Sequence, residues 1–216
     1  MTTITINGNS YNLVTMPSSP GFTDIAVDMI DTVATVVSPF VPSQVQTQQW
    51  PGGDSWTAQV TLPPMTRAQA SAWRGFLAEL RGRANVFQLG DPVCCIPRGV
   101  ARGVPLVDGS VTTNNQPTST TLFTKGWIVS VARQLLRGDY LQIGYRLYMV
   151  CEDASSDDDG NMQVQVFPSI REQPADATPI VLVNTQGLFR LQSNKRGWSS
   201  SVTELTRLSL TAMEAR

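Results

Sequence analysis

The chain contains no histidine, and that absence alone removes several chemistries. Without an imidazole there is no Ser-His-Asp or Cys-His relay, and most zinc hydrolase sites lose a ligand they require. Charge is scarce too. Asp, Glu, Lys and Arg make up 15% of the 216 residues, with a formal net charge of −1, where roughly 25% is usual for a soluble domain. There is no long basic run, so the electrostatic footprint of a nucleic-acid binder is missing. No apolar stretch reaches the roughly 18 residues of a membrane-spanning helix. The opening MTTITINGNS has neither the charged start nor the apolar segment of a secretory signal, so synthesis and retention in the cytoplasm are expected. Cysteine is limited to Cys94, Cys95 and Cys151. An odd count with two neighbours argues against a disulfide framework, and the three are expected to act as small, semi-buried hydrophobes.

What remains is a 41% hydrophobic share, enough for a real core. The surface is then built largely from Ser, Thr, Gln and Asn. Such a surface is easier to desolvate than a charged one, which suits burial against neighbouring subunits.

Periodicity points to strands. Thr3-Ile4-Thr5-Ile6 alternates and stops at Gly8-Asn9, and Ser18-Ser19-Pro20-Gly21 breaks the chain into an irregular stretch. Further strands are expected over 33–37 and 56–62, where Trp56, Ala58, Val60 and Leu62 alternate with polar residues. Between them, Trp50-Pro51-Gly52-Gly53-Asp54 reads as a hairpin tip.

One helix is expected over 66–82. Thr66 with Gln69 fits a capping box, and Trp73, Phe76, Leu77 and Leu80 form one apolar stripe. Gly82 stands where a C′ glycine would end it. The stripe is expected to be core and not a cofactor box.

A strand at 85–89 is closed by Gly90-Asp91-Pro92. After it the texture changes to short strands separated by turns, expected at 104–107, 121–123, 127–131, 140–143, 146–151, 162–167 and 179–183, with a Thr/Asn/Ser loop over 111–121. That spacing, without intervening helices, suggests a small barrel or sandwich. A long strand over 202–210, with one bulge, is expected to return to the first sheet.

Several local clusters invite chemical readings. The run CEDASSDDDGNM from Cys151 to Met162 gathers Glu152, Asp153, Asp157, Asp158 and Asp159 before Gly160. Oxygen-rich runs suit calcium, but this spacing is not that of an EF-hand, and a solvated turn is the expectation. Arg137-Gly138-Asp139 spells an integrin-binding tripeptide, yet it stands where a tight turn starts a strand pair. Gly99, Gly103 and Gly109 lie near Arg98 and Arg102 without a phosphate-loop pattern. Trp127 and Trp198 each follow a glycine and a basic residue, and either could stack on sugar if exposed; core or interface packing is the simpler expectation. No catalytic, cofactor-binding or metal-ligating residue is singled out, and the chain is not expected to be an enzyme.

Two segments together resemble a known family. The first runs Leu62-Pro63-Pro64-Met65-Thr66-Arg67, through the helix with Trp73 and Phe76, to Leu80-Arg81-Gly82-Arg83-Ala84-Asn85-Val86-Phe87-Gln88-Leu89-Gly90-Asp91-Pro92. The second runs Leu136-Arg137-Gly138-Asp139-Tyr140-Leu141-Gln142-Ile143-Gly144, through Met149-Val150 and Asp159-Gly160, to Phe167-Pro168-Ser169-Ile170-Arg171. Their order over about residues 55–210 resembles the minor tail or distal tail proteins of siphophages. The resemblance implies a mainly β fold: a β-sandwich ring domain with one flanking α-helix (residues 1–92 and 186–216), interrupted by a small OB-like β-barrel (residues 93–185). It also implies a structural virion protein at the tail tip, a homo-hexameric ring between the tail tube protein and the tail-tip hub protein. DNA would be only passing cargo in the lumen, and there is no membrane insertion and no cofactor. The alternative expectation is a carbohydrate- or receptor-binding β module of the virion.

Overall fold

The computed structural model describes residues 2–216 apart from Asn7, Pro42, Pro51 and 202–204. Strands account for 41% of the chain and the helix for 7%, which makes the fold mainly β. In chain order the elements are β1 (Thr2–Ile6), β2 (Asn9–Leu13), β3 (Asp24–Ile30), β4 (Val33–Val37), β5 (Val45–Gln49) and β6 (Ser55–Thr61). Then come α1 (Arg67–Leu80), β7 (Phe87–Leu89), β8 (Gly103–Val107), β9 (Thr121–Trp127), β10 (Tyr140–Ile143) and β11 (Arg146–Val150). The chain continues with β12 (Met162–Phe167), β13 (Ile180–Val181), β14 (Gly187–Leu191), β15 (Ser199–Ser200), β16 (Thr206–Arg207) and β17 (Ser209–Glu214).

Two sheets dominate. An open antiparallel sheet has the order β3-β6-β17-β14-β7. A second sheet, β13-β10-β11-β12-β9-β8, curls until its ends meet. A bridge between Leu106 and Pro179 joins those ends, and the Val107 N–H donates to the Thr178 carbonyl at 2.9 Å. That sheet is therefore a nearly closed barrel, which removes its free edges.

Period-two alternation sets the faces of the open sheet. On β6, Trp56, Ala58 and Val60 are buried while Gln59 and Thr61 are exposed. On β17, Leu210, Ala212 and Glu214 are buried while Ser209 and Thr211 are exposed. Helix α1 lays Ala70, Trp73, Phe76, Leu77 and Leu80 on the buried face, joining one core with Phe87, Leu89, Phe189 and Leu191. Each large side chain buried there stabilises the fold by roughly 1.5–3 kcal/mol before entropy is counted. At the helix start the Thr66 N–H donates to Gln69 Oε1 at 3.1 Å, as the capping box requires. The left-handed turn at its end begins one residue earlier than expected, at Arg81 (φ 49°), and runs on through Gly82 (φ 69°).

The β1–β2 ribbon covers one end of the opposite face, where Ile4 and Ile6 meet Val86, Leu188 and Ala215. It also occupies the β7 side of the sheet: Val14 N–H donates to the Val86 carbonyl at 2.8 Å, and Val86 N–H to that of Asn12 at 3.1 Å. The barrel has its own core, including Val107, Leu122, Leu141, Val150, Val164 and Ile180.

Sheet and barrel are joined by an aromatic contact centred on Trp56. Its indole donates to the Leu147 carbonyl at 3.1 Å, and its ring lies edge-on to Phe167 at 5.0 Å and tilted against Tyr140 at 6.0 Å. Beside it runs a buried ionic chain. Arg171 reaches Asp54 and Glu214, both at 3.3 Å, and Arg146 reaches Glu214 at 3.7 Å and Glu172 at 3.0 Å.

The structure departs from the sequence reading in several places. The 50–54 turn is not a hairpin tip. The pairing β3–β6 is continued by the pairing β4–β5, so the tip is the 38–44 loop, and 50–54 is an irregularity inside one long hairpin. The expected 121–123 strand runs on to Trp127 as β9, with Gly126 at φ 85° inside it, and 128–131, expected as strand, is a turn. β2, β3 and β5 form where the sequence shows no clear strand periodicity. The long final strand is two pieces, β16 and β17, and the expected start at 202 lies outside the described residues.

Candidate functional site

The residues that invited chemical readings are used by the fold itself. The Asp157 carboxylate accepts the N–H groups of Asp159 (3.0 Å) and Asn161 (2.7 Å), which closes the turn before β12. Ser130 bonds Asp158. Among the described residues no group of three or more acidic or cysteine side chains converges as a metal cluster would.

The Arg137-Gly138-Asp139 tripeptide is a structural turn. Asp139 is buried, and its carboxylate accepts the N–H groups of Arg98 (2.9 Å), Gly99 (3.1 Å) and Leu136 (2.8 Å). An aspartate so enclosed cannot be offered to a receptor. Gly99 packs against the backbone of Gln134 and Leu135, where any Cβ would meet the Gln134 carbonyl oxygen at 2.2 Å. That glycine is there for close approach and not for a phosphate.

Trp127 is 4% exposed, and its indole donates to Thr124 Oγ1 at 2.8 Å. This corrects one sugar-binding candidate: the ring is barrel core. Trp198 is 50% exposed, with the Arg74 guanidinium 4.9 Å from its ring centre, a cation–π contact. The three cysteines are half-buried and unpaired. Burial and then the Asp91 carboxylate push the Cys94 thiol up, and burial and then Glu152 do the same to Cys151. Neither is an activated nucleophile.

Charged groups at the junction are structural too. Burial works against ionisation of Asp54, but the Ser169 N–H and hydroxyl and the Arg171 guanidinium outweigh it and hold the carboxyl below its ordinary value.

What stands out is surface. The face of the open sheet away from α1 carries Asp24, Ala26 and Asp28 from β3, Thr57, Gln59 and Thr61 from β6, and Ser209 and Thr211 from β17. Arg190 is the basic residue among the neighbouring β14 positions. Met213 of β17 lies on this mostly polar face too, and the two aspartates of β3 make it faintly acidic at one side.

β3 ends the sheet, so among the described residues its outer backbone groups have no strand partner. From the same hairpin projects an arm, β4–β5. Between Asp31 and Asp54 no residue carries a charge. Phe40 at the tip is 91% exposed and Val36 63%, with Val33, Val37, Val41, Val45 and Trp50 also exposed. A lone two-stranded ribbon is marginal in water, and sheets normally guard such edges with charge. This arm has none. The signal was in the sequence as a long uncharged stretch rich in Val and Gln, but composition read over the whole chain diluted it.

No protein-family model matches the chain, and the curated proteins contain no match to it. The surfaces above therefore carry the functional argument.

The start of β3 lies beside an open groove of about 740 Å³, lined by Leu62, Pro63, Pro64, Trp198 and Leu208 with Asp24 and Arg207 at its border. Trp198 thus belongs to a concave apolar surface, not to an isolated patch.

Proposed function

We propose that the protein is a structural subunit of the tail tip of a long-tailed bacteriophage, one of about six copies in a ring between the tail tube and the tip hub. The observation that carries this reading is the open sheet with an unpaired edge, an uncharged projecting arm and a polar outer face. A closed ring needs two different complementary surfaces on each copy, and a sheet with one free edge supplies adhesive backbone groups. Over β3, β6 and β17 the Thr/Ser/Gln/Asp positions suit a lumen, since neutral to acidic side chains give passing DNA no phosphate anchors, and Arg190 on β14 is the basic exception. The barrel, closed on itself, is then an OB-like decoration outside the ring. The family resemblance over residues 55–210 supports the same assignment.

The second reading, a carbohydrate- or receptor-binding β module of the virion, retains Trp198 in its groove as its candidate. Immunogold labelling separates the two positions on a particle. Antibody against this chain is expected to mark the tail end opposite the head of purified tailed particles. Gold on side fibres or on the capsid, or none on the particles, would refute the tail-tip assignment.

A further inference from the structure

The β4–β5 arm leaves the sheet through a bulge. Ile30 pairs with Ser55 and Val33 with Gln49, so residues 31–32 on one strand stand opposite 50–54 on the other. Such a mismatch interrupts the ladder, bends the strand and leaves backbone groups without ladder partners. Trp50 and Gly53 settle their N–H groups locally, on the Thr32 carbonyl at 3.0 Å and the Trp50 carbonyl at 3.2 Å. The carbonyls of Gly52, Gly53 and Asp54 turn instead to two arginines from other parts of the chain. Arg171, which follows β12 of the barrel, donates to Gly52 at 2.8 Å and to Asp54. Arg216, which follows β17, donates to Asp54 at 2.7 Å, to Gly52 at 3.4 Å and to Gly53.

The barrel grips the same bulge at two further points. The buried Asp54 carboxylate accepts the Ser169 N–H, and the Ser169 hydroxyl at 2.8 Å. Gly52 lies over Thr118, whose methyl a Cβ would meet at 3.3 Å. Thr118 is β-branched yet has φ 73°, a region such residues avoid, and its N–H is tied to the Ile170 carbonyl at 2.7 Å. A strained backbone persists where its surroundings over-determine it, and here the strain sits against the base of the arm.

We infer that the bulge is a hinge and the barrel its latch: Thr118, Ser169 and Arg171 hold residues 52–54 in one conformation, so the direction of the arm and the seat of the barrel on the sheet change together. A planar guanidinium fork fixes the carbonyls it bridges in a way that a single ammonium does not. Moving the barrel strips all three of its contacts from the bulge at once. The coupling runs both ways, because two parts that share one set of contacts bias each other equally. It is a property of the single chain and holds whatever that chain assembles into.

Hydrogen exchange of the full chain, read by peptide mass spectrometry, tests the latch from both sides. Arg171→Lys alters the barrel's side while keeping a positive charge beside Asp54. Exchange over residues 45–54 is then expected to rise about tenfold, with α1 and β17 unchanged. Gly53→Ala alters the arm's side, since a Cβ would meet Thr32 Oγ1 at 2.2 Å. Exchange over residues 167–171 is expected to rise about tenfold in its turn. Arg216→Ala, at an exposed position, removes the other fork and is expected to raise exchange over both segments, which keeps the test open if Arg171→Lys does not fold. Changes confined to the substituted side, or equal rises throughout the molecule, would overturn the coupling.

Discussion

Trp56→Ala is expected to destabilise the chain by about 3–5 kcal/mol, the range for truncating a buried tryptophan. The side chain is 1% exposed at the start of β6, and it touches both halves of the molecule. Its ring meets Tyr140 and Phe167 of the barrel, and its indole N–H satisfies the Leu147 carbonyl at 3.1 Å. Truncation leaves a cavity at the junction and a buried acceptor without its donor. In a chain of this size the loss corresponds to a fall in melting temperature of about 6–20 °C. The barrel core does not include Trp56, so a separate transition of the barrel is expected to emerge in the variant. Urea unfolding followed by two probes checks this. A single transition displaced by under about 1 kcal/mol would mean that the junction does not hold the two parts together.

Arg171→Ala is expected to cost a similar amount, about 3–5 kcal/mol at neutral pH, because it removes one partner from buried pairs. The guanidinium bonds the Gly52 carbonyl at 2.8 Å and faces Asp54 and Glu214 at 3.3 Å. Without it Asp54 and Glu214 share the site with Arg146, 3.7 Å from Glu214, and with Arg216, which donates to the Asp54 carbonyl at 2.7 Å. The pH dependence has a definite sign. The folded-state pKa of Asp54 lies below its ordinary 3.8, so its contribution is fully present above about pH 4–5 and is lost as pH falls through the folded value. In the variant the guanidinium's share of that depression is lost, while the Ser169 N–H and hydroxyl still lower it. The stability gap between wild type and Arg171→Ala should therefore be widest at neutral pH and shrink as pH drops below about 4. Chemical denaturation across pH 2.5–7 reads it directly. A gap that is constant with pH would show that Arg171 acts through packing and not through its charge.

Much of this fold was legible in the sequence, for reasons that differ by element. α1 announced itself because Thr66/Gln69 and the Trp73-Phe76-Leu77-Leu80 stripe agree with each other and with the packing they found. β10 and β12 match the sequence expectation to the residue because their alternating side chains and flanking turns leave no second choice of register. β4 matches through its β-branched residues alone, with no buried face. β3 and β5 were missed. The first, Asp24-Ile25-Ala26-Val27-Asp28-Met29-Ile30, is an edge strand whose inner face is only half-buried, so its apolar alternation is diluted by two aspartates. The second, Val45-Gln46-Thr47-Gln48-Gln49, has no buried face at all, so period-two hydrophobicity had nothing to report. The hairpin tip was misplaced for the same reason: Pro51-Gly52-Gly53 is the stronger turn signal, but pairing continues past it.

The candidate surfaces were less legible than the fold. Trp127 and Trp198 share a local sequence pattern, yet one is barrel core and the other stands over a groove. Only the position of Gly126 within β9 and of Gly197 before β15 separates them. The groove joins Pro63 to Trp198 across more than half the chain, and nothing local in either segment signals the other. The polar face is likewise assembled from β3, β6, β14 and β17, which become neighbours only through the topology.

The central claim is that this chain builds a ring around a lumen. Negative-stain microscopy with native mass spectrometry of the purified full-length protein tests it most directly. Closed rings of about six copies of the 23.5 kDa chain, with an open centre, are the result expected. A protein that stays monomeric across concentration and binds glycan through Trp198, with binding lost in Trp198→Ala, would contradict it.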